Sequence, residues 1–293
     1  MQPDQVIPPA PLSAASLRPA PFGLPAGSEV QRIVFSLTPG EARPPLVEFK
    51  EPRYCRAVLE TGALPAPEGT KELTLLLIPI ADQESPELTA MAWDWLEPGL
   101  SQEVRQAQFL TLQGTRILWL PGKGAILAPA NRLEVLRRAL IEFAFCDDEL
   151  RSIETSLEQS WPELEADTPL AFNFDDRAAA RREALAERFQ RVVSWRAKLA
   201  RLLPVVHRPP VHPPTLASQL AERLRERTRM LERLETIGGQ LEVFERVYEL
   251  CSQRASDYTQ SQESKVLEWI IILLLATETV VLLIGLMTNN QGT

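Results

Sequence analysis

Several features are scarce in this 293-residue sequence, and each scarcity excludes a class of protein. The three cysteines, Cys55, Cys146 and Cys251, lie far apart and form no C-x-x-C pair. This pattern indicates neither a disulfide framework nor a zinc cage, and a reducing compartment fits it best. The two histidines flank prolines in HRPPVHPP, with no carboxylate or thiol cluster nearby. We therefore expect no metal and no other cofactor.

The N-terminal sequence has little charge and no apolar run. Residues 1–28 hold seven prolines and a single basic residue, Arg18. A secretory signal needs a charged region before an apolar one, and a mitochondrial presequence needs several arginines. We expect a disordered, Pro-rich tail over 1–28 and no export signal.

Residues 29–130 carry the patterns of a mixed α/β head. Three segments read as strands, and the last of them is a hairpin that turns at Gln113 and Gly114. These segments are QRIVFSL (31–37), ELTLLLIPI (72–80) and QFLTLQGTRILWL (108–120). Residues 84–98 read as a helix with Ser85 as its N-cap. The fold class expected for the whole chain is α+β.

Helical patterns take over after residue 130. A helical region is expected over 131–214, with its second helix ending among the prolines of 202–215. From 215 to 264 a heptad repeat predicts a coiled coil, which is either intermolecular or folded back within the chain. Its seam is Met230, Leu234, Ile237, Leu241, Phe244, Tyr248, Cys251, Ala255 and Tyr258. An unbroken helix from Thr215 would reach Met287.

A long apolar run, SKVLEWIIILLLATETVVLLIGLM, ends the chain. The 19 residues from Trp269 to Met287 would span about 28 Å, close to the hydrocarbon thickness of a bilayer. We therefore predict one transmembrane helix over 266–287. Because few residues follow it, the prediction is a single-pass tail anchor.

One carboxylate, Glu278, interrupts that apolar run. Ionisable residues inside a membrane are functional hypotheses, so we predict that Glu278 promotes helix association, with Thr277 and Thr279 helping to satisfy it. Glu268 and Trp269 are predicted to lie at the membrane boundary.

The segment VLEWIII (266–272), followed by Glu278 after a coiled coil, resembles the C-terminal signature of the "required for meiotic nuclear division" (YagE-like) family. Leu267 to Glu278 is the family's eleven-residue offset, so Glu268 and Glu278 both match. Val266 and Leu273 depart from the pattern, which has Arg and Trp there. The resemblance covers about 137–287, roughly half of the chain.

The resemblance implies a membrane-tethered protein with no established catalytic activity. Eukaryotic members are linked to the mitochondrial inner membrane and to support of mitochondrial translation. Because the chain lacks a presequence pattern, we expect the bacterial cytoplasmic (inner) membrane, with the bulk of the chain in the cytoplasm. In a eukaryote the expected location is the mitochondrial inner membrane.

A basic segment stands out in a chain whose net charge is −8. Residues 177–208 contain nine Lys or Arg and only two Glu. Such a face contacts phosphates of RNA or of anionic lipid, or it is neutralised within the chain by acidic segments such as 147–167. The candidate contacts are Arg177, Arg181, Arg182, Arg188, Arg191, Arg196, Lys198 and Arg201.

Paired carboxylates, Asp147 and Asp148, are the other candidate chemistry. Adjacent helical residues diverge by about 100°, so we expect a solvated face there and not an acid–base pair. With no nucleophile–base set visible, the chain is not expected to be an enzyme. The function expected is a membrane-anchored scaffold or tether that oligomerises or recruits an unknown protein partner. The alternatives are a tether for ribosome, RNA or anionic lipid through the basic helix, and an enzyme with its site in 29–130.

Overall fold

The computed structural model describes residues 23–37, 44–60, 71–80, 86–96, 107–172, 179, 181–207 and 214–289, with side chains as far as Val281. The chain divides into two compact units. The first comprises Met1–Glu154 and Lys198–Thr236, and the second comprises Thr155–Ala197 and Ile237–Thr293. Most of the predicted tail, 1–28, and the predicted N-cap, Ser85, lie outside the described residues.

A seven-stranded mixed sheet forms the centre of the first unit. Its strand order is β2-β3-β1-β4-β7-β6-β5, with β4 and β7 parallel and every other neighbouring pair antiparallel. The strands are β1 (Glu29–Ser36), β2 (Val47–Phe49), β3 (Cys55–Glu60), β4 (Lys71–Pro79), β5 (Gln108–Leu112), β6 (Thr115–Leu120) and β7 (Lys123–Ala128). The predicted mixture of sheet and helices is confirmed.

The sequence predicts the strands correctly where apolar residues alternate regularly. β1 buries alternate residues, as a strand with one covered face does. The hairpin of β5 and β6 turns at Gln113 and Gly114, whose φ angles are +47° and +77°. Two consecutive positive φ values are typical of a type I′ turn, which matches strand twist. The predicted strands and hairpin are therefore confirmed.

Five α-helices accompany the sheet in the described part of the chain. They are α1 (Pro86–Leu96), α2 (Ala130–Asp167), α3 (Arg182–Val206), α4 (Leu216–Arg227) and α5 (Met230–Asn289), and a short 3-10 helix (Thr168–Ala171) follows α2. The helix predicted over 84–98 corresponds to α1. Helix α3 passes through Pro204 and ends two residues later, so the first proline is accommodated in the last turn.

Helices α4 and α5 are separate, so no unbroken helix runs from Thr215 to Met287. Thr215 caps α4 in a reciprocal capping box with Ser218. The chain then turns at Arg229, whose φ of +49° lies in the left-handed region and ends the helical path. By contrast, Gly238 and Gly239 lie inside α5 without ending it.

The heptad seam of α5 is covered by the chain itself. Phe244 is fully buried and Trp161 of α2 packs edge-on against it, with ring centroids 4.9 Å apart. The seam residues Met230, Leu234, Ile237, Leu241, Phe244, Tyr248, Cys251 and Ala255 are all buried. The seam therefore packs within the chain, as the intramolecular alternative predicts.

The predicted C-terminal transmembrane helix is wrong. Among the residues that the structure describes, none of the helices combines the length and the apolar character needed to cross a membrane. An 18-residue stretch that ends at Val281 contains Lys265, Glu268 and Glu278. The single-pass and tail-anchor predictions are wrong with it.

Candidate functional site

The paired carboxylates of CDDELRSIE differ in environment, because Asp147 lies in the interior of the first unit whereas the Asp148 side chain is 42% exposed. Asp147 is 1% exposed and accepts hydrogen bonds from Arg151 Nε at 2.8 Å and Arg233 Nη1 at 2.7 Å. Asp148 instead pairs with Lys71 at 2.5 Å. The two side chains diverge, as adjacent helical positions must, but the expected solvation of Asp147 is wrong.

Arg233 joins the start of α5 to α2 within this unit. It donates to both carboxylate oxygens of Glu154, at 2.8 and 2.6 Å, in addition to its bond to Asp147. Burial alone would lower the pKa of Arg233, but the hydrogen bonds to Glu154 and Asp147 outweigh it and raise the pKa above its usual value. The charges of Arg233, Asp147 and Glu154 thus neutralise one another, so we interpret this cluster as structural.

A cavity of about 920 Å³ also lies in the first unit. Its floor is apolar and includes Phe49, Phe143 and Met230, which are all buried. Carboxylates such as Glu142 stand at its wall, where Glu142 accepts from Arg138 at 3.4 Å. The size is that of a small-molecule site, although the predicted enzyme site in 29–130 contributes only the segment Val47–Glu51 to the walls.

The part of the basic helix α3 that lies in the second unit is partly neutralised by the chain. Arg188 donates to the buried carboxylate of Asp167, and this bond raises the pKa of Arg188. Arg191 lies 3.5 Å from Glu163, and Arg196 lies 3.8 Å from Glu245. Three of the predicted phosphate contacts therefore have acidic partners within the chain.

The remaining predicted contacts differ from these three. Arg181, Arg182, Lys198 and Arg201 are exposed and form no ion pair with any residue that the structure describes. Arg177 lies outside the described residues. The sequence therefore marked a basic segment correctly, but it could not separate paired from unpaired cations, because the partners are distant in sequence.

Asp167 organises the polar centre of the second unit. It is 1% exposed, and the Tyr248 hydroxyl donates to it at 3.4 Å while the Cys251 thiol donates to its backbone carbonyl at 3.8 Å. Burial, followed by the charge of Asp167, raises the pKa of Cys251 to about 11. The same two causes raise the pKa of Tyr248. Both groups are therefore held neutral inside the seam.

The most unusual surface of the second unit is the apolar segment of α5 that follows the seam. We call the exposed apolar side chains of residues 266–281 the apolar surface. Its large members are Val266, Leu267, Trp269, Ile270, Ile271, Ile272, Leu273, Leu274, Leu275, Val280 and Val281. Each is at least 50% exposed, and Trp269 is 71% exposed.

The extent of the apolar surface indicates a role in association. Sixteen helical residues form a cylinder roughly 24 Å long and about 10 Å wide, whose side wall is roughly 750 Å². The largest apolar patch on a monomer is usually about 300 to 600 Å². A single partner can face only about half of this wall, roughly 375 Å². The apolar surface therefore has the size of an interaction patch.

A groove lies along one side of the apolar surface, with a volume of about 470 Å³. Trp269 closes one end, and the small residue Ala276 lies near the middle. The groove is lined by Trp269, Ile272, Leu273, Ala276, Thr277, Val280 and Val281. At about 100° per residue, these positions cluster on one face of α5.

The residues predicted to promote helix association do not form one site. The Thr277 hydroxyl donates to Leu274 O at 2.7 Å, and that of Thr279 donates to Leu275 O at 2.7 Å. Both hydroxyls are thus satisfied by their own helix and not by Glu278. Glu278 follows Ala276 by two residues, which places the two side chains about 160° apart around the helix. Glu278 therefore faces away from the groove.

The membrane-boundary role predicted for Glu268 and Trp269 rested on the transmembrane helix. In the structure both residues are exposed, and Trp269 belongs to the groove. Sequence reasoning missed the groove itself. The signal that reveals it is the spacing of Trp269, Ile272 and Ala276, which an interpretation as a uniform apolar run conceals.

Comparisons with known proteins add little. No protein-family model and no curated protein matches the sequence. Among solved structures, the chain is similar to the CorA magnesium transporter from Methanocaldococcus jannaschii, with 12% identity and a TM-score of 0.32. That match covers 84% of this chain and 80% of the transporter chain. A TM-score this low does not establish a shared fold, and the resemblance to the YagE-like family stays a prediction.

Proposed function

We propose that this chain is a scaffold that assembles with protein partners through the apolar surface of α5. The single observation that carries the proposal is the exposure of eleven large apolar side chains on consecutive turns of one helix. Single exposed apolar residues are normal, but a contiguous patch of this size marks an interaction site. The heptad seam, which the sequence offered as the recruiting element, is buried within the chain.

Burial of the apolar surface against a partner is energetically favourable. Full burial of a Leu, Ile or Val side chain contributes about 1.5 to 3 kcal/mol, and these side chains are roughly half to two-thirds exposed. Covering ten of them therefore stabilises a complex by on the order of 10 kcal/mol. Association costs about 4 to 15 kcal/mol, so the net affinity depends on how completely the partner covers the surface.

A polar-surface variant tests the proposal. This variant replaces five residues of the apolar surface by Gln, which keeps the helix propensity high. The five residues are Trp269, Ile271, Ile272, Leu274 and Leu275. The matched control replaces exposed apolar residues elsewhere, Val135, Val193, Leu203 and Val243, by Gln. Crosslinking of the full chain, followed by mass spectrometry of the crosslinked residues, measures association through each surface. We expect the polar-surface variant alone to lose its crosslinks, and equal crosslinking by both variants would contradict the proposal.

A second candidate is a tether for phosphate groups of RNA or anionic lipid through helix α3. The observation in its favour is the exposure of Arg181 and Arg182, which lack ion pairs among the described residues. Arg181→Glu with Arg182→Glu should then reduce both the affinity for RNA or anionic vesicles and the salt dependence of binding. Arg223→Glu, at another exposed site, serves as the charge control. If both variants bind alike, this candidate fails.

A further inference from the structure

The groove continues the register of the buried seam. Alternating steps of four and three residues beyond Tyr258 reach Gln262, Lys265, Trp269, Ile272 and Ala276. The seam is polar at Gln262, which donates to the Tyr258 hydroxyl at 2.9 Å, and at Lys265. It is apolar again from Trp269 onward. One helix therefore carries one seam, of which the chain covers the first part and leaves the second part exposed.

The shape of the groove indicates what fills it. A large side chain, Trp269, stands seven residues from a small one, Ala276. When an identical helix lies antiparallel so that Trp269 faces the partner's Ala276, each large side chain fits over a small one, and the two-fold axis makes the contact twice. In the same alignment Ile272 faces the partner's Leu273, so that two apolar groove residues meet.

We propose that a second copy of this chain occupies the groove, with its α5 antiparallel and Trp269 seated over Ala276. This inference rests on the proposed scaffold function and names the partner. Its physical basis is that the groove continues the register of the seam that the chain buries within itself. The size complementarity between Trp269 and Ala276 adds to that basis.

A parallel pair fits the same surface less well. Two copies of Trp269 would meet at one level and two copies of Ala276 would leave a gap, and each such gap reduces packing. The fit of Trp269 over Ala276 therefore favours the antiparallel pair.

Single cysteines distinguish the two orientations. Lys265→Cys and Val280→Cys are made in separate full-length chains, whose native cysteines are all buried. The two positions are 15 residues, or about 22 Å, apart on one helix, whereas a disulfide needs Cα atoms within about 7 Å. The antiparallel pair predicts a crosslinked dimer only when the two variants are mixed. Crosslinking of either variant with itself alone would overturn the proposal.

Sedimentation equilibrium of charge variants tests which face is used. Ala276→Glu enters the groove and should weaken dimerisation at least tenfold. Ile271→Glu lies on the opposite side of the helix, is matched in charge, and should change the dissociation constant by less than threefold. If only Ile271→Glu dissociates the chain, the antiparallel pair is overturned, while the scaffold function still has its own crosslinking test. If the unmodified chain is a monomer at every concentration, the inference fails in the same way.

Discussion

The two parts of helix α5 have nearly the same apolar content along one seam and opposite environments. From Met230 to Ala255 the seam is buried by the chain itself, with Phe244 at 0% exposure. From Val266 to Val281 the same register continues with Trp269 at 71% exposure. An apolar pattern therefore establishes that a surface needs cover, but it does not establish what provides the cover. The partner of the first part is in the sequence, and we propose that the partner of the second is a separate chain.

The largest expected effect comes from the buried part. Phe244→Ala removes the ring that packs against Trp161 and should lower the free energy of unfolding by about 3 to 5 kcal/mol. Val243→Ala, at the exposed neighbouring position, should change it by less than about 0.5 kcal/mol. Denaturant unfolding of the two variants measures both values. Equal effects would mean that the seam is not covered within the chain.

The second largest effect is expected from loss of the ion pairs that Arg233 forms at the start of α5. Arg233→Met leaves Asp147 and Glu154 without this partner, and breaking such a pair costs about 3 kcal/mol when the site is mostly buried. Arg229→Met, whose side chain is 75% exposed and 3.7 Å from Glu232, is the matched control. Thermal unfolding should show a lower Tm for Arg233→Met only. A control that destabilises as much would assign the loss to helix capping.

The pH dependence of the free energy of unfolding tests the buried part of the seam. Burial raises the pKa of Cys251 from 9.0 to about 11, so the folded chain favours the neutral thiol. The thiol's contribution to stability is complete below pH 9 and is lost as the pH rises to about 11, by on the order of 2 kcal/mol. Because the pKa values of Cys55 and Tyr248 are also raised, Cys251→Ala should make this pH dependence shallower without removing it. An unchanged slope in the variant would show that Cys251 does not contribute to it.

The smallest expected effect concerns Glu278. Because it faces away from the groove, Glu278→Leu should leave dimerisation within about twofold of the unmodified chain. The sequence predicts the opposite, that Glu278 promotes association. Sedimentation equilibrium of the variant beside Ala276→Glu measures the difference. A dimer lost on Glu278→Leu would restore the sequence-based hypothesis and place the contact on the opposite face.

Much of the fold is local and could be predicted from the sequence. The hairpin at Gln113 and Gly114 follows from turn chemistry, and the heptad seam follows from spacing. β7 was missed because its pairing with β4 is parallel and long-range, which no local pattern encodes. The break at Arg229 was missed because a positive φ at an arginine has no compositional signal.

The candidate site could be predicted only in part. The apolar run was evident, but its interpretation as a membrane span did not weigh the charges of Lys265, Glu268 and Glu278 together. The burial of Asp147 depended on Arg233, which lies 86 residues away. Likewise, the sequence offers neutralisation of the basic segment by 147–167 as one alternative, but it cannot pair Arg188 with Asp167, because the two residues lie on different helices.

Hydroxyl-radical footprinting across a range of protein concentrations tests the central claim most directly, because it reads both parts of α5 in one sample. Phe244 reports the covered part and Trp269 reports the exposed part. We predict that Phe244 is protected at every concentration, and that Trp269 reacts at low concentration and becomes protected as copies associate. Protection of Trp269 at the lowest concentration, or reaction of Phe244, would contradict the account.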